Sequence, residues 1–390
     1  MIIRAVCVFI FAAVPLACGA ARLPVATRPA SLPASVAVLY LIGDAGDADV
    51  KTAVLEQLEV DMNSVTTGTP VVAFLGDNVY GAGVRDVSDP GFRDDSTRLE
   101  TQIDVVRNTG ARGVFAPGNH DWARGRSDGL RRMKNQTEFV ERRRSNGVDV
   151  EVAPANGCPG PRQIALGDSV SLIFLDTQWW LHDEVGRRNP RCGNQTESDV
   201  LEDLDAMLAG LPDYRHAIVL AHHPLETFGP HGGYFTAKTV FFPLTEIVPW
   251  LYVPIPFLYA GLRNMGITGQ DLSGRRNRAM RERFEAVFQE YQGEPFVYAA
   301  GHEHTIQVMD GSAFGVGTHI ISGAGSKLGP VTDVGRTAFL AGEQHGEQGY
   351  VKLEFFADGT ALLSVLTDGT RCTEASCPAG PILRYAARIR

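Results

Sequence analysis

Short, unbroken apolar runs alternate along the chain with longer stretches in which apolar residues recur at helical spacing. Residues 36–42 (VAVLYLI), 71–74 (VVAF), 113–116 (GVFA), 171–175 (SLIFL), 217–221 (AIVLA) and 296–300 (FVYAA) are continuous runs bounded by Gly, Pro or polar residues. Runs of that length read as strands buried on both faces. Residues 48–63, 96–109, 128–146 and 197–209 carry helical periodicity, the last with Val200, Leu201, Leu204, Met207 and Leu208 before Gly210 and Pro212. Residues 319–322 form a further strand, and 350–356 with 361–366 form a hairpin around Asp358-Gly359. Strand–helix alternation predicts an α/β fold, and the late cluster of strands predicts a second sheet. The sequence shows no internal repeat.

One stretch departs from this alternation. Residues 239–262 (TVFFPLTEIVPWLYVPIPFLYAGL) hold a single charge, Glu246, and four prolines. The length would span a bilayer, but prolines at this density break a helix and leave backbone groups unpaired in lipid. Two readings stay open: a surface that makes peripheral contact with a membrane or a partner, and an insertion buried over the active-site edge.

Composition narrows the class. With 390 residues, 44% hydrophobic and 21% charged, the chain is globular and holds one large domain or two ordinary ones. A net charge of −9 argues against a general grip on nucleic acid; the basic clusters Arg131-Arg132 and Arg142-Arg143-Arg144 read as a solvated helix face. Residues 1–20 have the form of a signal peptide: Arg4, an apolar core, and small residues ending at Ala20. Export to the periplasm or outside the cell is the expectation. Leu16-Ala17-Cys18 also offers a lipoprotein signal with an anchor on Cys18, although Pro15 and Leu16 fit it poorly. Residues 21–35, rich in Pro and Ala, read as a tether. Four cysteines follow, Cys158, Cys192, Cys372 and Cys377. An even number in an exported chain suggests two disulfides, and the most local of three pairings joins Cys158 to Cys192 and Cys372 to Cys377.

Chemistry gathers at the strand ends. The strands end in Asp44; Asp77 with Tyr80; Asn119 with His120; His222; and Gly301-His302-Glu303-His304. Each residue alone has a structural explanation, as a cap, a turn or a core histidine. Together they are the donors that two metal ions about 3.5–4 Å apart require, with a carboxylate between them. Asp77 is the natural bridge. Oxygen donors (Asp44, Asp77, Tyr80) suit Fe(III); imidazole and amide suit Zn, Mn or ferrous Fe.

These blocks, Gly43-Asp44-Ala45-Gly46, Gly76-Asp77-Asn78-Val79-Tyr80, Gly118-Asn119-His120-Asp121, Val219-Leu220-Ala221-His222 and Gly301-His302-Glu303-His304, resemble those of the calcineurin-like metallophosphoesterase superfamily. Tyr80, Val84 and Ser322-Gly323-Ala324-Gly325 make the chain most similar to purple (tartrate-resistant type) acid phosphatases. The resemblance, over about residues 36–325, implies an αββα sandwich of two mixed sheets flanked by helices. It implies a catalytic domain over 36–370, with an insertion at about 236–283 that the small phosphatases lack; the local cysteine pairing would close a tail at 371–390. It implies Fe(III) on Asp44, Asp77, Tyr80 and His304, and a divalent Fe, Zn or Mn on Asp77, Asn119, His222 and His302, with His120 and His231 as the catalytic histidines near the phosphate. His223 has no matching role. The implied activity is hydrolysis of phosphomonoesters, small molecules or phosphoproteins, by a metal-bound hydroxide. Alternatives are a phosphodiesterase or nucleotide pyrophosphatase with the same centre, and a membrane-associated binding protein with a vestigial one.

Overall fold

The computed structural model describes residues 22–47, 51–212, 216–246, 248, 250–293, 296–371 and 380–389. The signal segment, Cys18 and the Cys372–Cys377 pair lie outside them. The chain runs through β1 (Ser35–Ile42), α1 (Ala53–Asn63), β2 (Val71–Phe74), α2 (Phe92–Thr109), β3 (Arg112–Phe115), α3 (Gly129–Ser145) and β4 (Val150–Val152). It continues through β5 (Arg162–Leu166), β6 (Val170–Phe174), α4 (Thr177–Leu181), α5 (Glu197–Ala209), β7 (His216–Leu220), α6 (Ala237–Phe241), α7 (Leu258–Asn264) and α8 (Arg275–Phe288). Six strands close it: β8 (Phe296–Ala300), β9 (Ile306–Asp310), β10 (Thr318–Ser322), β11 (Thr337–Ala341), β12 (Gly349–Phe356), β13 (Ala361–Thr367) and, at the end, β14 (Ile382–Ile389).

These strands make two mixed sheets of seven, in the orders β14-β13-β12-β1-β2-β3-β4 and β11-β9-β10-β8-β7-β6-β5. β1 to β4 run parallel, as do β6, β7, β8 and β10. Side-chain alternation explains the unbroken apolar runs. Ala37, Leu39 and Leu41 of β1 pack with Ile218, Leu220, Val297 and Ala299 of the facing sheet. Val38, Tyr40 and Ile42 point the other way, into a cluster with Leu55, Leu58, Leu99 and Ile103 of α1 and α2. On the far side Val200 and Leu204 of α5, and Met280, Phe284 and Phe288 of α8, cover the second sheet. Both faces of each central strand are therefore buried, and the architecture is the expected αββα sandwich.

Three expected boundaries shift. Residues 382–389, expected in a closed tail, form β14, an edge strand paired with β13. Buried Arg384 anchors it by bonding both Glu347 oxygens, at 2.6 and 3.0 Å. The expected tether lies against this strand: Ala26 N–H donates to the Leu383 carbonyl, and Arg28 forks onto Glu354. Residues 275–283, expected in the insertion, begin α8, which packs into the core. Cys158 and Cys192 form a disulfide.

The insertion is packed at one end and exposed at the other. Its inner end packs on the loops described below. Its outer end exposes Trp250 (77%), Phe257 (66%), Met265 (79%) and Ile267 (65%). Among the described residues, the exposed large apolar side chains outside 241–267 are all valines. No described helix is long and apolar enough to cross a membrane.

Leu39→Ala, between the sheets, should lower stability by about 2–5 kcal/mol, read from urea unfolding, while Val185→Ala on the surface should stay within about 0.5 kcal/mol.

Candidate metal centre

The expected site residues sit where parallel strands end. Asp44, Asp77, Tyr80, Asn119 and His120 follow β1, β2 and β3 of one sheet; His222, His302 and His304 follow β7 and β8 of the other. Asp44 (φ 59°), Asp77 (φ 54°) and His302 (φ 68°) adopt the left-handed backbone region, a costly conformation for residues with a Cβ that clusters at functional sites. Each follows a glycine, and close approach explains why. A Cβ on Gly76 would lie 2.5 Å from the His222 ring, and one on Gly118 2.4 Å from Asp77 Oδ1.

Two groups of donor atoms converge. In the first, Tyr80 hydroxyl lies 2.9 Å from Asp44 Oδ1 and 2.8 Å from His304 Nε2, which is 3.6 Å from the same carboxylate oxygen. In the second, Asn119 Oδ1 lies 2.9 Å from His222 Nε2 and 3.0 Å from His302 Nδ1, and these nitrogens are 3.2 Å apart. Asp77 Oδ1 is 3.4 Å from His222 Nε2. Oxygens of Asp44 and Asp77 and a nitrogen of His222 all lie within 4.8 Å of one another, so Asp77 stands between the groups. Donor atoms about 2.0–2.2 Å from one ion, in tetrahedral or octahedral geometry, are roughly 2.8–3.6 Å apart. The observed separations fit.

The electrostatics fit as well. Asp44 and Asp77 are buried, and burial pushes both carboxyls up; for Asp44 the charge of Asp77 adds to it. Asp121 is pushed up to about 8, by burial and then by Asp77. Burial brings His222 and His304 down to about 3 and His302 well below the ordinary imidazole value. The imidazoles are thus neutral with lone pairs to offer, and the charge of the carboxylates is only partly answered, by His120, Lys327 and Arg124 around Asp77. A cation answers both conditions. The Leu75 carbonyl accepts His222 Nδ1–H at 2.8 Å, which turns Nε2 to the site.

His120 and His231 flank the pair of groups. His120 donates its backbone N–H to Asp77 Oδ1 at 2.8 Å and lays its ring 4.4 Å from that of Tyr80. The His231 ring is 4.1 Å from that of His302. His223 also lies near His222 and His302, but its nitrogens are committed. Nε2 faces Gln270 Oε1 at 2.8 Å, and Nδ1 faces the Thr177 hydroxyl at 2.8 Å. That hydroxyl also accepts the His223 backbone N–H. His223 is a strut.

Several supports escaped the sequence reading. The Asp121 carboxylate accepts the N–H groups of Gly118 (2.8 Å), Asn78 (3.0 Å) and Val79 (3.1 Å), which fixes the loop carrying Asp77 and Tyr80 to the one carrying Asn119. Its place after Asn119-His120 was visible; its partners were not. Glu303, between two expected ligands, accepts the His231 backbone N–H at 3.1 Å. Lys327 lies 3.6 Å over the Tyr80 ring and pairs with Asp47. The insertion contributes Gln270, whose carbonyl is 3.3 Å from His302 Nε2.

No family model and no curated protein sequence matches the chain. Its fold matches solved structures. A purple acid phosphatase from yellow lupin (Lupinus luteus) seeds superposes with a TM-score of 0.50 at 15% identity, over 90% of this chain and 54% of that one. PhoD superposes with a TM-score of 0.51 at 11% identity, over 88% of this chain and 67% of that one. The chain thus spans about half the length of the lupin enzyme. With two mixed seven-stranded sheets between helical layers, and matches of this extent, the chain shares the αββα fold of these two structures.

Proposed function

We propose that the chain is a two-metal phosphomonoesterase with an acid-phosphatase-like site. The observation that carries this reading is the convergence of seven donor side chains from two sheets around Asp77. Asp44, Asp77, Tyr80 and His304 would hold one ion, and Asp77, Asn119, His222 and His302 the other. Three oxygen donors against one nitrogen favour Fe(III) at the first position; imidazole and amide favour a divalent ion at the second. Bound there, the ions supply charge to the phosphate oxygens and acidity to water.

The side chains of this protein supply the rest. His120 and His231 stand on either side of the donor groups, where a protonated imidazole binds phosphate and gives its proton to the departing alkoxide. Lys327 adds positive charge beside Tyr80. Asp121 and the Leu75 carbonyl hold loops and rings in place, so little reorganisation is needed when the ester binds.

The reading extends to location. The Cys158–Cys192 disulfide belongs to an oxidising compartment and supports export. The outer end of the insertion supports peripheral contact with a lipid surface: Trp250, Tyr252 and Phe257 are the aromatic types that settle at a bilayer interface, and Lys238 beside Tyr252 suits anionic headgroups.

Asp77→Asn should cost more than the roughly 10- to 100-fold typical of losing a residue that merely supports a ligand, measured with p-nitrophenyl phosphate alongside metal content. Unchanged turnover would sink the two-metal reading, and equal activity on the bis-ester would favour a phosphodiesterase. If iron(III) sits at Tyr80, the purified protein is coloured and Tyr80→Phe bleaches it; a colourless, iron-free, active wild type removes iron. In flotation assays with anionic phospholipid vesicles the wild type should float and the Trp250→Asp/Phe257→Asp variant should not. Equal behaviour of the two rejects lipid contact through this surface, and self-association lost in the same variant would assign the patch to protein.

A further inference from the structure

The inner end of the insertion reaches a group implicated in the chemistry. Asp271, which is 2% exposed, sets Oδ1 2.9 Å from His231 Nδ1, and Leu272 N–H donates to the His231 carbonyl at 2.9 Å. Arg263 of α7 grips the other side of the carboxylate: Nε bonds Oδ2 at 2.8 Å, and a terminal nitrogen bonds Oδ1. The Thr268 hydroxyl also donates to Oδ2. Arg263 is itself held over the rings of Phe235 (5.3 Å) and Tyr259 (5.7 Å). Burial opposes ionisation of Asp271, but the bonds from Arg263, His231 and Thr268 outweigh it and hold the carboxyl at about 2.

We propose that Asp271, aligned by Arg263, is a positioning residue that holds His231 by its Nδ1–H, so that the second proton of the imidazolium sits on Nε2, facing the phosphate ester. The fork from Arg263 sets the plane of the carboxylate and takes one lone pair of Oδ1, leaving the other for His231 Nδ1–H; the Arg263 terminal nitrogen, 3.3 Å from His231 Nδ1, is itself spent on Oδ1. The Glu303 bond to His231 N–H fixes the backbone, and the Asp271 bond fixes the ring. The ring then packs against His302, whose Nε2 faces the Gln270 carbonyl one residue before Asp271. A single turn of the insertion thus orients two imidazoles of the site. What Nε2 meets rests on the phosphoesterase reading; the pairing with Asp271 does not.

A purely structural clamp would show the same distances, so the test must read His231 itself. Asparagine at 271 has one oxygen, which Arg263 Nε and Thr268 claim; its amide then faces Nδ1 as a donor and forces the other tautomer. In full-length protein labelled with 15N-histidine, wild type should show His231 protonated on Nδ1, and Asp271→Asn should move that proton to Nε2. In the holoenzyme Asp271→Asn should lower kcat about 10- to 100-fold with KM for p-nitrophenyl phosphate changed less. Added to His231→Ala it should cost nothing further. An unchanged tautomer, or losses that multiply in the double variant, would overturn the assignment. If wild type hydrolyses no ester, the functional reading fails while the 15N spectrum still decides the pairing. Should Asp271→Asn not fold, Arg263→Lys carries the same readouts, with the Nδ1–H signal expected to weaken and its persistence unchanged counting against the proposal.

Discussion

Three carboxyl groups, those of Asp44, Asp77 and Asp121, are buried in one cluster of loops, and the rest of the site follows from that constraint. Buried carboxylates cost free energy unless donors or cations answer them. Asp121 is answered by backbone N–H groups from two loops. Asp44 is partly answered by His302 N–H at 2.7 Å and the Tyr80 hydroxyl. Asp77 has the His120 N–H, with the ring of His120 nearby and Lys327 and Arg124 further out. What remains is negative charge facing imidazoles that burial keeps neutral, an arrangement that welcomes a cation between the two kinds of group.

The insertion changes how this site is enclosed. A bare sandwich would leave His231, His223 and His302 with solvent on their outer nitrogens. Residues 263–272 replace that solvent with a carboxylate, a side-chain amide and a backbone carbonyl. The same insertion exposes Trp250, Tyr252 and Phe257 at its other end, so one short piece of chain has two unlike ends. Its prolines suit such a role: they hold irregular backbone in place without a sheet or a long helix to support it.

Legibility in the sequence tracked how local each signal was. Central strands were visible because both of their faces are buried, which makes unbroken apolar runs; the ligand positions were visible because each follows such a run. β14 was not, because only Ile382 and Arg384 of ILRYAARI are buried, and Arg384 reads as polar until Glu347 is brought beside it. α8 was assigned to the insertion because five arginines hide Met280, Phe284 and Phe288. Asp271 could not have been found: its partner His231 lies 40 residues away, and no motif contains it. The placement of Asp44, Asp77 and His302 in left-handed backbone was equally hidden, although the preceding glycines hinted at it.

The donors come from both sheets, four from one and three from the other. Any ion held among them is therefore a cross-link between the two halves of the sandwich, closing loops of chain as long as that between Tyr80 and His304, 224 residues apart. Folding and ion binding then share one equilibrium: each tenfold rise in free ion above its dissociation constant adds about 1.4 kcal/mol to the folded state. The edge of the sandwich that carries the chemistry is also the edge at which the supply of metal in the surrounding compartment enters the stability of the whole protein.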